Sequence, residues 1–176
     1  MRAVIRSEFE RIAPFDAVES SHRNDALAWI DSGAELCRRE RPATPPKHLV
    51  SYVVVVSAWE ILLVDHKNAR LWLPPGGHVE PDEHPRFTVE RELKEELGLS
   101  PSDPVGPPLF VTCTETVGQT AGHIDVSLWY LVRIEAKDAV EIDGSEFESA
   151  RWFAFGEVPH GRSDPHLLRF LRKYRS

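Results

Sequence analysis

Three carboxylates, those of Glu92, Glu95 and Glu96, fall within five positions of the octapeptide RELKEELG at residues 91–98. On a helix of 3.6 residues per turn they occupy an arc of roughly 100°, beside an apolar stripe of Val89, Leu93 and Leu97. Like charges one turn apart repel by a few tenths of a kcal/mol, so Glu92 and Glu96 oppose the helix unless a cation lies between them. The natural cation for oxygen ligands of this kind is a hard divalent metal, Mg²⁺ or Mn²⁺. Taken alone, the octapeptide reads more readily as a solvated helix surface with an Arg91 to Glu95 ion pair. Its context has to decide.

Something must hold these carboxylates in place, and the flanking residues indicate what. Pro85 suits the first turn of a helix, Asp82 and Glu83 complement its dipole, and Gly98 is placed to stop it in a left-handed conformation, which predicts a helix over about 84–97. Ahead of it, HLVSYVVVVS and ILLVDH are β-branched, apolar runs separated by a short turn near Trp59, and LWLPPGGHVE is extended and broken by prolines and glycines. Behind it, PLFVTCTETV and HIDVSLWYLVRI are strand-like and joined through GQTAG, and ARWFAF is a further short strand. Asp164 and Pro165 open a last helix with Leu167, Phe170, Leu171 and Tyr174 on one face. Near the N-terminus, Leu27, Ile30, Ala34 and Cys37 predict an amphipathic helix over 24–41, with Asn24 or Asp25 as N-cap, ended by RPATPP. The pattern is that of an α+β domain, an α/β/α sandwich with a mixed sheet between helices, at 44–176, preceded by an N-terminal helical extension at 1–43.

Composition narrows the function. With 41% hydrophobic and 28% charged residues among 176, the chain can bury a core and stay in solution. A net charge of −7 argues against a broad electrostatic grip on nucleic acid and favours a small-molecule partner, with a polyanion requiring local help from a metal ion. The two cysteines, Cys37 and Cys113, lack the paired spacing of a zinc site and are too few for a disulfide framework. No apolar run suits a signal peptide or a membrane span, so a cytoplasmic location without membrane association is the expectation.

Extended upstream, the octapeptide becomes GGHVEPDEHPRFTVERELKEELGL, in which Gly77, five residues, Glu83, seven residues and then residues 91–99 follow in order. This resembles the Nudix box, the signature of the Nudix hydrolases, at each of its defined positions. The resemblance implies a mixed sheet between helices and hydrolysis of a diphosphate bond in a nucleoside diphosphate derivative with Mg²⁺ or Mn²⁺. By position it implies that Glu92, Glu95 and Glu96 bind the metal with the carbonyl of Gly76, and that Arg91 and Glu83 tie the helix to its preceding loop. The water-activating base is Glu92, Glu96 or a later glutamate, for which Glu146 and Glu148 are the candidates. Asp82 stands where the family commonly has glycine, Pro74 where it has an apolar residue, and Thr88 where it has a small one.

Other residues carry weaker signals. Trp72 could stack on a base or belong to the core. His123 and Asp125 point to one face of a strand, where they could meet metal or phosphate or simply pair with each other. Arg70 could hold a phosphate, Glu115 across the hairpin could belong to the site or be solvated, and the basic run RFLRKYRS reads as a solvated helix end. The helical N-terminus could cap the substrate cleft, form a homodimer interface or cover a sheet edge. Two other functions share the fold: a nucleotide-sensing module that does not cleave its ligand, which need not keep a full set of carboxylates, and an isoprenyl diphosphate isomerase, which needs a reactive cysteine that nothing marks in Cys113.

Overall fold

The computed structural model describes residues 1–40, 44–101, 103–117, 121–134 and 140–176. The valine-rich run forms β1 (Lys47–Ser57), the middle of the sheet. Its alternating side chains serve two separate cores: Leu49, Val53 and Val55 enter one, Val54 and Val56 the other. A tight turn with Ala58 at φ 50° returns the chain as β2 (Glu60–His66), antiparallel to β1. Then come β3 (Leu71–Leu73), β4 (Gly76–His78), β5 (Phe110–Glu115), β6 (Ile124–Arg133) and β7 (Phe147–Ala154). The sheet runs β3-β2-β1-β6-β5, with β4 also pairing β1 and β7 pairing β2. Only the β1 to β6 pairing is parallel among those described, so the sheet is mixed. The GQTAG connection between β5 and β6 lies largely outside the described residues.

Helix α3 (Pro85–Leu97) carries the glutamates and matches its expected limits, with Gly98 at φ 65° closing it. Its N-cap is His84, whose Nδ1 accepts from the Arg86 amide at 3.1 Å. On the opposite face of the sheet, α4 (Leu167–Tyr174) buries Leu167, Phe170 and Leu171 against Phe110, Trp129 and Phe153.

The N-terminal segment departs from expectation. It contains two helices, α1 (Arg2–Arg11) and α2 (Ala17–Asp31), not one over 24–41. Asp16 is the N-cap of α2, accepting from the Glu19 amide at 2.8 Å, in place of Asn24 or Asp25. Gly33 at φ 81° follows the helix, so Ala34 and Cys37 lie beyond it, well before the prolines. Ile5, Phe9, Ala26 and Ile30 join one buried cluster with Val89, Leu93 and Leu97 of α3. Alpha-helix α2 lies along the edge strand β5, where Cys113 Sγ donates to the His22 carbonyl at 3.5 Å. The basic run in α4 is no simple solvated end either. Arg169 pairs with Asp16, and Lys173 Nζ meets Glu19 Oε1 at 2.7 Å, joining α4 to α2 past that same edge. Among the described residues, no helix is long and apolar enough to cross a membrane.

Candidate active site

Two glycines allow α3 to approach the sheet. Gly76 has φ 149°, and a Cβ there would stand 2.2 Å from the Ser51 carbonyl oxygen. At Gly77 a Cβ would fall 2.0 Å from Glu92 Oε1, so the glutamate occupies the space any other residue would need. Ser51 Oγ donates to the Pro85 carbonyl at 2.9 Å and fixes the start of α3 over β1.

Arg91 organises the loop ahead of the helix. Its guanidinium donates to Glu83 through Nε and Nη2, both at 3.1 Å, to the His78 carbonyl at 3.1 Å, and to Glu92 Oε1 at 2.6 Å. Burial alone would push the Glu83 carboxyl up, but hydrogen bonds from Arg91 and Thr88 outweigh it and hold the group below its ordinary range. Two departures from the family pattern are explained here. Thr88 Oγ1 donates to Glu83 at 2.7 Å. Asp82 adopts φ 64°, so it keeps the left-handed backbone that glycine commonly supplies, a conformation aspartate tolerates better than most residues.

The carboxylates differ in environment. Glu95 sits at the rim with its side chain 61% exposed. Glu92 and Glu96 are buried, and Glu96 accepts from the Gly76 amide at 2.9 Å. Burial, and then the neighbouring Glu92 charge, push the Glu96 carboxyl up to about 9. Burial also raises Glu92, against the opposing pull of Arg91. Two buried acids that resist ionising together are a fitting cradle for a divalent cation, whose charge would restore both carboxylates.

These groups floor a cleft of about 870 Å³. Glu146, Glu115, His123 and Asp125 line it too, whereas Glu148 is exposed on β7 and lies outside the lining. Arg70 and Trp72 also fall outside it. The Arg70 carbonyl accepts from Arg162, and Trp72 packs edge-on against Phe153 in the core on the other face, ring centroids 5.0 Å apart. Cys113 is no candidate for acid/base chemistry: it is absent from the cleft lining, and burial pushes its thiol up to about 12.

Several cleft residues carried no usable signal in the sequence. Arg38 and Arg39, from the segment after α2, reach the rim and bring positive charge to an acidic cleft. Asp164 faces the cleft with its carboxyl pushed up to about 6 by burial. His48 and His78 join His123 and Asp125 in one cluster. Thirty positions separate His48 from His78, and strand pairing alone brings them together.

The chain is similar to known proteins in sequence and in fold. The chain is 27% identical over 134 residues to a MutT-like protein of Streptomyces ambofaciens, covering 75% of this chain and 80% of that one. It is 26% identical over 129 residues to an RNA pyrophosphohydrolase of Marinomonas sp. (strain MWYL1), covering 60% of this chain and 74% of that one. A MutT NUDIX hydrolase from Burkholderia pseudomallei superposes with a TM-score of 0.56 at 26% identity, over 64% of this chain and 87% of that one. The model of the NUDIX domain matches residues 46–174, and with the box glutamates gathered on a cleft floor behind Gly76 and Gly77, this chain belongs to the NUDIX hydrolase family.

Proposed function

We propose that the protein hydrolyses a diphosphate bond in a nucleotide or nucleoside diphosphate derivative, with a divalent metal and by attack of water on phosphorus. The observation that carries this reading is the pair of buried carboxylates, Glu92 and Glu96, at the Gly76–Gly77 approach on the cleft floor. Glu92, Glu95, Glu96 and the Gly76 carbonyl would hold Mg²⁺ or Mn²⁺. Bound there, the ion supplies neutralisation of the diphosphate oxygens and acidification of water.

The remaining work falls to this chain's own groups. Arg91 keeps Glu92 oriented through the 2.6 Å contact and locks the loop that presents the Gly76 carbonyl. Arg38 and Arg39, the latter paired with Glu35 at 2.5 Å, line the cleft and offset part of the acidic charge that would repel an anionic substrate. The proton of the attacking water passes to a cleft carboxylate. Of the two later glutamates, Glu146 fits this role better than Glu148, because Glu146 lines the cleft and its charge is felt at both Glu92 and Glu96.

The decisive experiment is a substrate screen with Mg²⁺ or Mn²⁺, with products separated by chromatography. Nucleoside triphosphates, sugar nucleotides, dinucleoside polyphosphates and ADP-ribose form the panel, with a 5′-triphosphorylated RNA included because one relative is an RNA pyrophosphohydrolase. The expected result is a nucleoside monophosphate with pyrophosphate or with a second phosphorylated product. Binding across the panel without turnover would replace this reading with a ligand sensor.

A further inference from the structure

Separate from the box glutamates, His48, His78, His123 and Asp125 bring four donor atoms within 4.8 Å of one another, from three neighbouring strands and the turn entering β6. His48 Nε2 lies 3.0 Å from His78 Nε2 and 3.3 Å from Asp125 Oδ1, and His123 Nε2 lies 3.4 Å from the same oxygen. Those spacings are close to the edge of a tetrahedron with metal–nitrogen bonds of about 2.0 Å, roughly 3.3 Å.

The tautomers favour ligation. His48 Nδ1 is 2.8 Å from the Pro45 carbonyl, which can only accept, so Nδ1 carries a proton and the lone pair of the neutral tautomer falls on Nε2, facing the cluster. Thr116 Oγ1 donates to the His123 carbonyl at 3.2 Å and therefore accepts from His123 Nδ1 at 3.1 Å. That leaves His123 Nε2 with a lone pair as well. His48 and His123 thus donate outward through Nδ1 and turn Nε2 toward the cluster, the orientation metal-bound imidazoles commonly have. Asp125 Oδ1 is buried and accepts no hydrogen bond, and it faces the lone pairs of two imidazoles. A buried acceptor opposed by two further acceptors is costly unless positive charge sits among them.

We infer that His48, His78, His123 and Asp125 form a second cation site, an N₃O set that takes a borderline divalent transition metal such as Zn²⁺. Three imidazole nitrogens favour such an ion over Mg²⁺, which prefers an all-oxygen octahedron. Four protein ligands close the coordination sphere, which is the pattern of a structural ion. Its effect would be to clamp β4, and with it the Gly76–Gly77 approach, to β1 and to the start of β6.

The test uses the full chain stripped with EDTA and titrated with Co²⁺ or Zn²⁺ alone. The expected result is one equivalent of Co²⁺ with the intense visible bands of a four-coordinate ion, undiminished by excess Mg²⁺, and a rise in melting temperature with Zn²⁺. Glu96→Gln should retain this binding. His78→Gln, at a half-exposed position, and Asp125→Asn should each weaken it by more than the roughly 10- to 100-fold seen when only an outer-shell partner is lost, with circular dichroism confirming the fold. Absence of stoichiometric Co²⁺ binding would mean that a proton neutralises the cluster and would overturn the proposal. So would binding that is lost in Glu96→Gln and kept in Asp125→Asn.

Discussion

The seam between α2 and α4 and the floor of the cleft both bury glutamates, and they treat them in opposite ways. At the seam, Glu19 is 0% exposed yet satisfied, accepting from Lys173 at 2.7 Å and from the Phe15 amide at 2.6 Å. Asp16 beside it caps α2 and pairs with Arg169, which holds its carboxyl down near 2 against a smaller opposing effect of burial. In the cleft, Glu96 is 6% exposed with the Gly76 amide as hydrogen-bond donor and another acid, Glu92, for a neighbour. The same residue type therefore serves two ends. Where a cation is supplied by the chain, the buried acid ties elements together; where none is supplied, burial pushes the carboxyl up, which suits the metal-binding role proposed above.

Substitutions can break this contrast from either side. The largest effect is expected from Glu96→Gln, which should lower kcat by about 10³-fold, the scale of a lost electrostatic contributor. The fold should survive, because the carboxyl pushed up to about 9 is already largely protonated near neutrality and an amide can take its place. Steady-state kinetics beside a thermal melt would separate the two readouts, and undiminished metal-dependent turnover would remove Glu96 from the site.

Lys173→Met should reverse that pattern, destabilising the protein by about 3–5 kcal/mol because Glu19 is left charged and unpaired in the interior. Denaturant unfolding measures the loss, and KM of the remaining folded enzyme should be unchanged. A kinetic defect without destabilisation would show that the seam communicates with the cleft.

The smallest effect is expected from Asp16→Asn, which keeps a capping side chain and removes only the charge pairing with Arg169. On a partly exposed pair that is worth about 0.5–1 kcal/mol at neutral pH. The folded-state value near 2 lies below the ordinary 3.8, so the aspartate stabilises fully above pH 3.8 and loses this contribution as pH falls through 2. The difference between parent and variant, followed by denaturant titration across pH, should therefore be flat above that range and close toward zero below it. A difference that persists undiminished through pH 2 and below would assign the effect to capping instead.

The legible parts of the site were those encoded locally. Local signals within residues 77–99 named the helix and its glycine stop, the resemblance to the Nudix box implied the Arg91 to Glu83 tie, and alternating apolar runs named the strands, because each depends on contacts only a few residues apart. Helix α1 went unassigned although Ile5 and Phe9, with Ile12 at its C-cap, recur at i, i+4 and i+7, because so short a helix offers few apolar repeats and has no side-chain cap at its start. The C-terminal limit of α2 was misplaced because Gly33 outranked the first proline of the run nine residues later, and its start because Asp16, not Asn24 or Asp25, supplies the cap. Trp72 could have faced either way, and its register opposite Asp65 on β2 placed it with the core beyond the cleft.

By itself, then, the sequence determined the family and the element that carries its signature: an acidic helix behind a glycine approach, with the caps to hold its length. Tertiary structure decided which acids are held in reserve and which are neutralised. Nothing near Glu19 in the chain foretells Lys173, and nothing near His48 foretells His78 or His123. Burial and long-range pairing set those environments, and they depend on the packing of strands and helices far apart in the sequence, which no local pattern of residues encodes.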